Sequence, residues 1–250
     1  QDAIDELRAL GVVVVAAAGN GHGEVKRPAS CAGVIGVAAL NRDGFKASYS
    51  NFGPSIVVST VGGDPSSEGR WGSLLGDDGM LSVDNLGVQG PEAAIYGRHA
   101  GTSFSTPVVA GVVSLMLSIN PALSVDQIID GVRRSARPHV RSQLIGACSA
   151  LNPGRCICST ATCGAGILDA PQALAFAADP SAYVAPAQAA ALIDSGEVAA
   201  AVALGPDQPP NAQVNPASGG GGGSLGLSSL WWGVLALAGL VMVGRRTSGA

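Results

Sequence analysis

Val12-Val13-Val14-Val15-Ala16-Ala17-Ala18-Gly19-Asn20 decides the fold. Four β-branched residues without polar alternation, followed by small ones, predict a strand over 12–18 that is apolar on both faces. Such strands belong to parallel sheets with helices packed on each side. The strand ends at Gly19-Asn20, and open α/β sheets build their sites beyond the carboxyl ends of their strands. The Asn20 side chain therefore brings an N–H donor to the expected crevice. Upstream, residues 1–10 read as a helix with Ile4, Leu7 and Leu10 on one face, stopped by Gly11. Downstream, further strands are expected at 33–39 and Ser55–Thr60.

The second informative stretch is Gly101-Thr102-Ser103-Phe104-Ser105-Thr106-Pro107, which opens an apolar helix expected over 102–118. A hydroxyl in that first turn faces the positive end of the helix dipole, among N–H groups without helical partners. The setting suits a nucleophile whose reaction develops negative charge. Pro107 is tolerated because it lies near the helix start. Gly-Thr-Ser also caps many ordinary helices, so on local grounds both readings stand.

Together the two segments resemble the subtilisin-like serine proteases, the subtilases. Ser103 matches the nucleophile of that family's Gly-Thr-Ser motif, and Asn20 the oxyanion-hole asparagine of its Ala-Ala-Gly-Asn motif. Further matches are Pro28-Ala29-Ser30-Cys31-Ala32-Gly33-Val34-Ile35-Gly36-Val37, Tyr49-Ser50-Asn51-Phe52-Gly53 and Cys163-Gly164-Ala165-Gly166-Ile167-Leu168-Asp169-Ala170. The resemblance implies a parallel-sheet, three-layer α/β fold, present in part, over residues 1–177. It implies that Ala17, Ala18 and Gly19 line the substrate pocket. Phe104 and Ser105 stand where the family usually has Met and Ala.

The family also needs a histidine base and an aspartate upstream of the serine. Neither of their motifs occurs. His22, His99 and His139 are the only histidines, and each reads as an ordinary surface residue. With Gln1 opening in the middle of a helix pattern, the expectation is the C-terminal part of a peptidase domain, lacking its base.

Charged residues make up 13%, against about 25% in ordinary domains. Lys+Arg 14 against Asp+Glu 18 gives a net charge of −4, which argues against nucleic-acid binding. Cys148, Cys156, Cys158 and Cys163 fall within sixteen residues. Their spacing fits no common zinc pattern, so two disulfides and an oxidising compartment are expected. Cys156 and Cys158 are too close to bond comfortably, which leaves two pairings; Cys148–Cys156 with Cys158–Cys163 is preferred. Cys31 is then odd. Relatives with a cysteine at this position pair it with one upstream, a partner outside this chain; a buried free thiol is the alternative.

Residues 62–98, rich in Gly and Asp, are expected as a surface insertion flanking the cleft. A structural calcium is the one cofactor the resemblance allows. Asp77, Asp78 and Asp84 lack a calcium-loop pattern and read as solvated charges, so no metal ligand is assigned. Ser124 and Gln127 form a capping box that starts another helix, running to about Arg134. Residues 178–224 read as an Ala-, Pro- and Gly-rich linker with one helix over 187–203. Gly219–Gly223 precedes an uncharged span, Leu225–Gly244, and the pair Arg245-Arg246. The span is long enough to cross a bilayer, with the C-terminus cytoplasmic by the positive-inside rule. Residues 225–246 thus resemble the glycine-run, apolar-span, arginine sorting tails of Gram-negative bacteria, on which a membrane protease acts. The function expected is a secreted or surface-tethered serine endopeptidase with polypeptide substrates. The alternative is an inactive, protease-like binding domain tethered to the membrane.

Overall fold

A computed structural model describes residues 1–65, 75–203 and 241–243. The elements are α1 (Asp2–Ala9), β1 (Val13–Ala17), β2 (Val34–Leu40), β3 (Ile56–Val61), β4 (Met80–Asn85) and β5 (Ala94–His99). They continue with α2 (Thr102–Ile119), α3 (Val125–Ser135), α4 (Ala170–Ala178), α5 (Gly196–Ala203) and β6 (Val241–Val243).

The main sheet runs in the order β3-β2-β1-β6. β1, β2 and β3 are parallel, with Val14 opposite Val34 and Val37 opposite Val58. Alternation along β1 divides the core. Val13 and Val15 join Ile35, Val37 and Val58 under α2, α3 and α4. Val14 and Ala16 join Ala29 and Val34, and Ile4 and Leu7 of α1 close that side. Val13, Val14 and Val15 are all fully buried, which explains why the strand carries no polar residue. Helices on one side, the sheet, and α1 on the other make the three layers.

α2 is the one helix among the described residues that is long and apolar enough to span a membrane. Its Val109, Val113 and Met116 are buried in the domain core, so it is the central helix of the fold. The α3 capping box forms as expected: Ser124 Oγ accepts from Gln127 N at 3.2 Å, and Gln127 Oε1 accepts from Ser124 N at 2.9 Å. Gly131 of α3 sits against the Phe176 ring of α4. A methyl group there would stand 2.5 Å from Cδ1 of Phe176, so only hydrogen lets the two helices approach.

A second core gathers Leu40, Phe45, Val140, Ile145 and Ile167 around the four clustered cysteines. These form Cys148–Cys156 and Cys158–Cys163, with Cα–Cα distances of 4.9 and 5.5 Å. Sγ atoms of Cys148, Cys158 and Cys163 lie within 4.8 Å of one another, but each is consumed in a disulfide and offers no thiolate to a metal. Cys31 is free and partly buried.

Two expectations need correction. The insertion at 62–98 contains a hairpin, β4 with β5 in antiparallel register, Val83 opposite Tyr96. Leu81-Ser82-Val83-Asp84 alternates over only four residues, and Leu81, Val83 and Tyr96 are exposed. The segment after 178 is docked onto the domain through residue 203. Tyr183 and Val198 are buried, Arg141 N donates to Ala191 O at 2.7 Å, and Ser142 Oγ donates to Asp194 at 2.5 Å. Helix is confined there to Gly196–Ala203. Of the span expected as a membrane helix, Val241–Val243 are described, and they form a strand antiparallel to β1. The remainder of the span lies outside the described residues.

Phe176 is 1% exposed and meets Tyr183 edge-on at 5.5 Å. Phe176→Ala is expected to cost about 3–5 kcal/mol of unfolding free energy, read by urea denaturation.

Candidate active site

β1 delivers Gly19 and Asn20 beyond its carboxyl end, and α2 begins across from them. Thr102, fully buried, joins the two. Its Oγ1 accepts from Gly19 N at 3.1 Å and donates to Asn20 Oδ1 at 2.8 Å. Its backbone N–H donates to the same Oδ1 at 3.0 Å. With its oxygen held twice, the Asn20 carboxamide has its orientation fixed and Nδ2 left over as a donor. The first turn of α2 leaves a second one. Phe104 N and Ser105 N both reach Gly101 O, at 2.9 and 3.4 Å. Among the described residues, no acceptor takes the Ser103 N–H.

Both donors lie close to Gly101. A methyl group built on it would stand 3.3 Å from Asn20 Nδ2 and 3.7 Å from Ser103 N. Its φ of +148° also favours glycine. The exposed Ser103 side chain is attached to the residue that supplies one of these donors. The arrangement can hold a developing oxyanion beside a hydroxyl nucleophile. Gly101 N donates to Gly62 O at 3.0 Å, which ties this turn to the carboxyl end of β3.

Asn51 supports the Gly19–Gly23 loop from beneath. Its Oδ1 accepts from Gly21 N and Gly23 N at 2.9 and 3.0 Å, and its Nδ2 donates to Ala18 O at 3.0 Å. Asn51 N reaches Gly19 O at 2.8 Å. A side chain on Gly19, whose φ is +103°, would stand 2.5 Å from Asn51 Nδ2. Ala17, Ala18 and Gly19 thus lead directly into the clamp, with Ala18 buried and Ala17 and Gly19 partly open.

No histidine among the described residues hydrogen-bonds Ser103. His22 places Nδ1 2.6 Å from Ser48 O. His99 pairs with Asp84 at 3.2 Å and stacks on Phe104 with ring centroids 5.0 Å apart. His139, expected on the surface, is buried, with Nε2 3.1 Å from Gly164 O. Pro138 directs it inward, toward the Cys163-Gly164 turn. Burial lowers its pKa, opposed by the bond to Gly164.

Among the described residues, Asp77, Asp78 and Asp84 are held by separate partners. Asp77, expected as a solvated charge, accepts from Asp64 N, Gly79 N and Arg42 N at 2.6, 2.8 and 2.9 Å. Asp78 pairs with Arg98, and Asp84 with His99. Asp64 is buried and accepts from Arg155 Nε at 2.5 Å and Ser48 Oγ at 2.7 Å. Each carboxylate has protein partners, and Asp77, Asp78 and Asp84 do not converge on a common point.

Thr102 was visible in the sequence only as part of a lead-in to the serine, and Asn51 only as part of a matching string. A hydroxyl next to Ser103, with an Asn at a strand tip elsewhere, is the signal that could have paired Thr102 with Asn20.

The subtilase family model matches residues 1–161, and the chain belongs to that family. It is 38% identical over 180 residues to an extracellular protease of Xanthomonas campestris, covering 71% of this chain and 26% of that protein. It is 36% identical over 132 residues to a calcium-dependent protease of Nostoc, covering 50% of this chain and 20% of that protein. Among solved structures, a protease of Pseudoalteromonas arctica matches with a TM-score of 0.56 and 35% identity, over 70% of this chain and 46% of that one. The chain therefore spans about a quarter of the first relative's length and under half of the solved structure's.

Two outcomes follow from this geometry. In the whole protein, Thr102→Val should weaken the orientation of Asn20 by about 0.5–1.5 kcal/mol. That is a fall in kcat of up to about tenfold, with Thr102→Ser close to wild type. The depressed His139 pKa means that the unfolded state takes up its proton first as pH falls below 6.5. More than about one pH unit above that value the imidazole is neutral in both states. His139→Gln should therefore lose less stability than wild type between about pH 7.5 and 5, measured by urea denaturation.

Proposed function

We propose that this chain carries the nucleophile and oxyanion hole of a secreted subtilisin-type serine endopeptidase. The observation that supports the reading is the fixed carboxamide of Asn20 beside the start of α2, with its Nδ2 and the Ser103 N 3.3 and 3.7 Å from a methyl group built on Gly101. Ser103 Oγ attacks a peptide carbonyl, and the carbonyl oxygen moves towards these two donors as it gains charge. The two N–H groups stabilise it, an acyl-enzyme forms, and water releases the product. The base that takes the Ser103 proton is a histidine from outside these 250 residues, since His22, His99 and His139 are each engaged elsewhere. Ala17, Ala18 and Gly19 supply a small-residue wall for the substrate side chain.

Extracellular location is supported by the name of the Xanthomonas relative and by the paired cysteines. The name of the Nostoc relative supports a structural calcium in the whole protein. Asp77, Asp78 and Asp84, each with its own protein partners, do not converge to supply its site. The glycine run, uncharged span and terminal arginines support a tail that tethers the enzyme to a membrane before processing.

In the whole protein, Ser103→Ala should abolish peptidase activity. Asn20→Ala should lower kcat about 10²–10³-fold with KM little changed, a magnitude known from subtilisin, a member of the same family. Wild-type turnover by Ser103→Ala would remove the assignment.

A further inference from the structure

Lys46 is fully buried, yet among the described residues no carboxylate hydrogen-bonds its ammonium. Nζ instead donates to three main-chain carbonyls of one tight loop: Ala47 O at 2.8 Å, Ser48 O at 3.2 Å and Ser50 O at 2.9 Å. The Phe52 ring centroid lies 5.3 Å from Nζ. Buried lysines ordinarily pair with an acid. The nearby acid here, Asp64, is bonded to Arg155 and Ser48.

A ring of backbone carbonyls around a compact positive charge is how proteins replace the hydration shell of a potassium ion. Calcium needs shorter contacts, about 2.3–2.6 Å, and six to eight oxygens. The Lys46 cage, with oxygens at 2.8–3.2 Å, is too wide for calcium; its distances match a singly charged cation, which would complete its coordination with water once the side chain is gone.

The caged loop is also the one on which the Asn20 loop rests. Ser48 O, held by Lys46, lies 2.6 Å from His22 Nδ1. Tyr49 O accepts from His22 N at 3.0 Å, and Asn51 takes up Ala18 O, Gly21 N and Gly23 N. An unbroken series of bonds thus runs from the ammonium to both sides of Asn20.

We propose that Lys46 is a built-in cation, filling a monovalent-cation cage made by Ala47, Ser48 and Ser50 and positioning the loop that carries Asn20. The catalytic consequence rests on the peptidase reading; the cage does not. Removing the side chain without filling its space should leave a site that takes potassium or ammonium from solution. The charged and titratable groups around it are Asp64, Arg155 and His22. Burial lowers the Lys46 pKa to about 7, against the pull of Asp64. Only the ammonium has three donors for three carbonyls, so the comparison belongs at pH 6, where the side chain is charged.

The test compares Lys46→Ala, which opens the cage, with Lys46→Met, which fills it without charge, both in the whole protein. Melting temperature and turnover of a short peptide substrate are measured in potassium, ammonium, calcium and choline chlorides. Lys46→Ala should lose about tenfold in kcat with little change in KM, a fraction of what loss of the oxyanion donor itself removes. Potassium and ammonium, but not choline, should restore it and raise its melting temperature in a saturable way. Lys46→Met should lose kcat and respond to none of them. The proposal is overturned if Lys46→Ala ignores every cation or stays unfolded in all of them. It is equally overturned if choline or calcium serves as well as potassium, or if Lys46→Met responds as Lys46→Ala does. Should Ser103→Ala remain active, the peptidase reading fails, while the melting response of Lys46→Ala still decides the cage.

Discussion

The bonding of Thr102 to the tip of β1 is the constraint on which the rest depends. One threonine uses its N–H and its hydroxyl on the same carboxamide oxygen and takes the Gly19 N–H on that hydroxyl as well. An isolated Asn at the end of a strand would rotate freely, and each face of its amide would be equally available. Held twice by its oxygen, Asn20 presents nitrogen to the crevice. The same contacts bring the first turn of α2 against β1, so the donor and the hydroxyl are positioned by one interaction.

The layers exist to make that contact reproducible. β1 is buried on both faces, between α1 on one side and α2 on the other, and cannot shift without exposing apolar surface. α2 is pinned by Val109, Val113 and Met116 in the same core. The loop beyond β1 is short of side chains where it needs close approach, at Gly19, and Asn51 fills the space beneath it. Beneath that again, Lys46 holds the carbonyls of the next loop. Charge inside this domain holds main chain: Lys46 takes three carbonyls, and Asp64 and Asp77 take backbone N–H groups.

Much of the fold was legible because its signals are local and strong. An uninterrupted β-branched run has few readings other than a buried strand, and Ser124 with Gln127 marks a helix start within one turn. Asn20 and Ser103 were legible for the same reason, each lying at the end of an apolar element. What escaped depends on contacts distant in sequence. Thr102 meets Asn20 across 82 positions. His139 is drawn inside by the Gly164 carbonyl, 25 residues away, and nothing in its neighbours announces burial. Asp77 looks like a solvated charge until three backbone N–H groups are found on it. The segment after 178 has the composition of a linker, yet a few anchors, Tyr183, Asp194 and Val198, suffice to dock it. In β4 the alternation Leu81-Ser82-Val83-Asp84 is short, and its apolar side chains face solvent rather than a core.

The most direct measurement is a crystal structure of the whole protein after reaction with a peptidyl phosphonate. Phosphorus should be bonded to Ser103 Oγ, with one phosphoryl oxygen about 2.7–3.1 Å from both Asn20 Nδ2 and the Ser103 N–H. A phosphoryl oxygen turned away from Asn20, or an adduct on another residue, would contradict the pairing of these two donors.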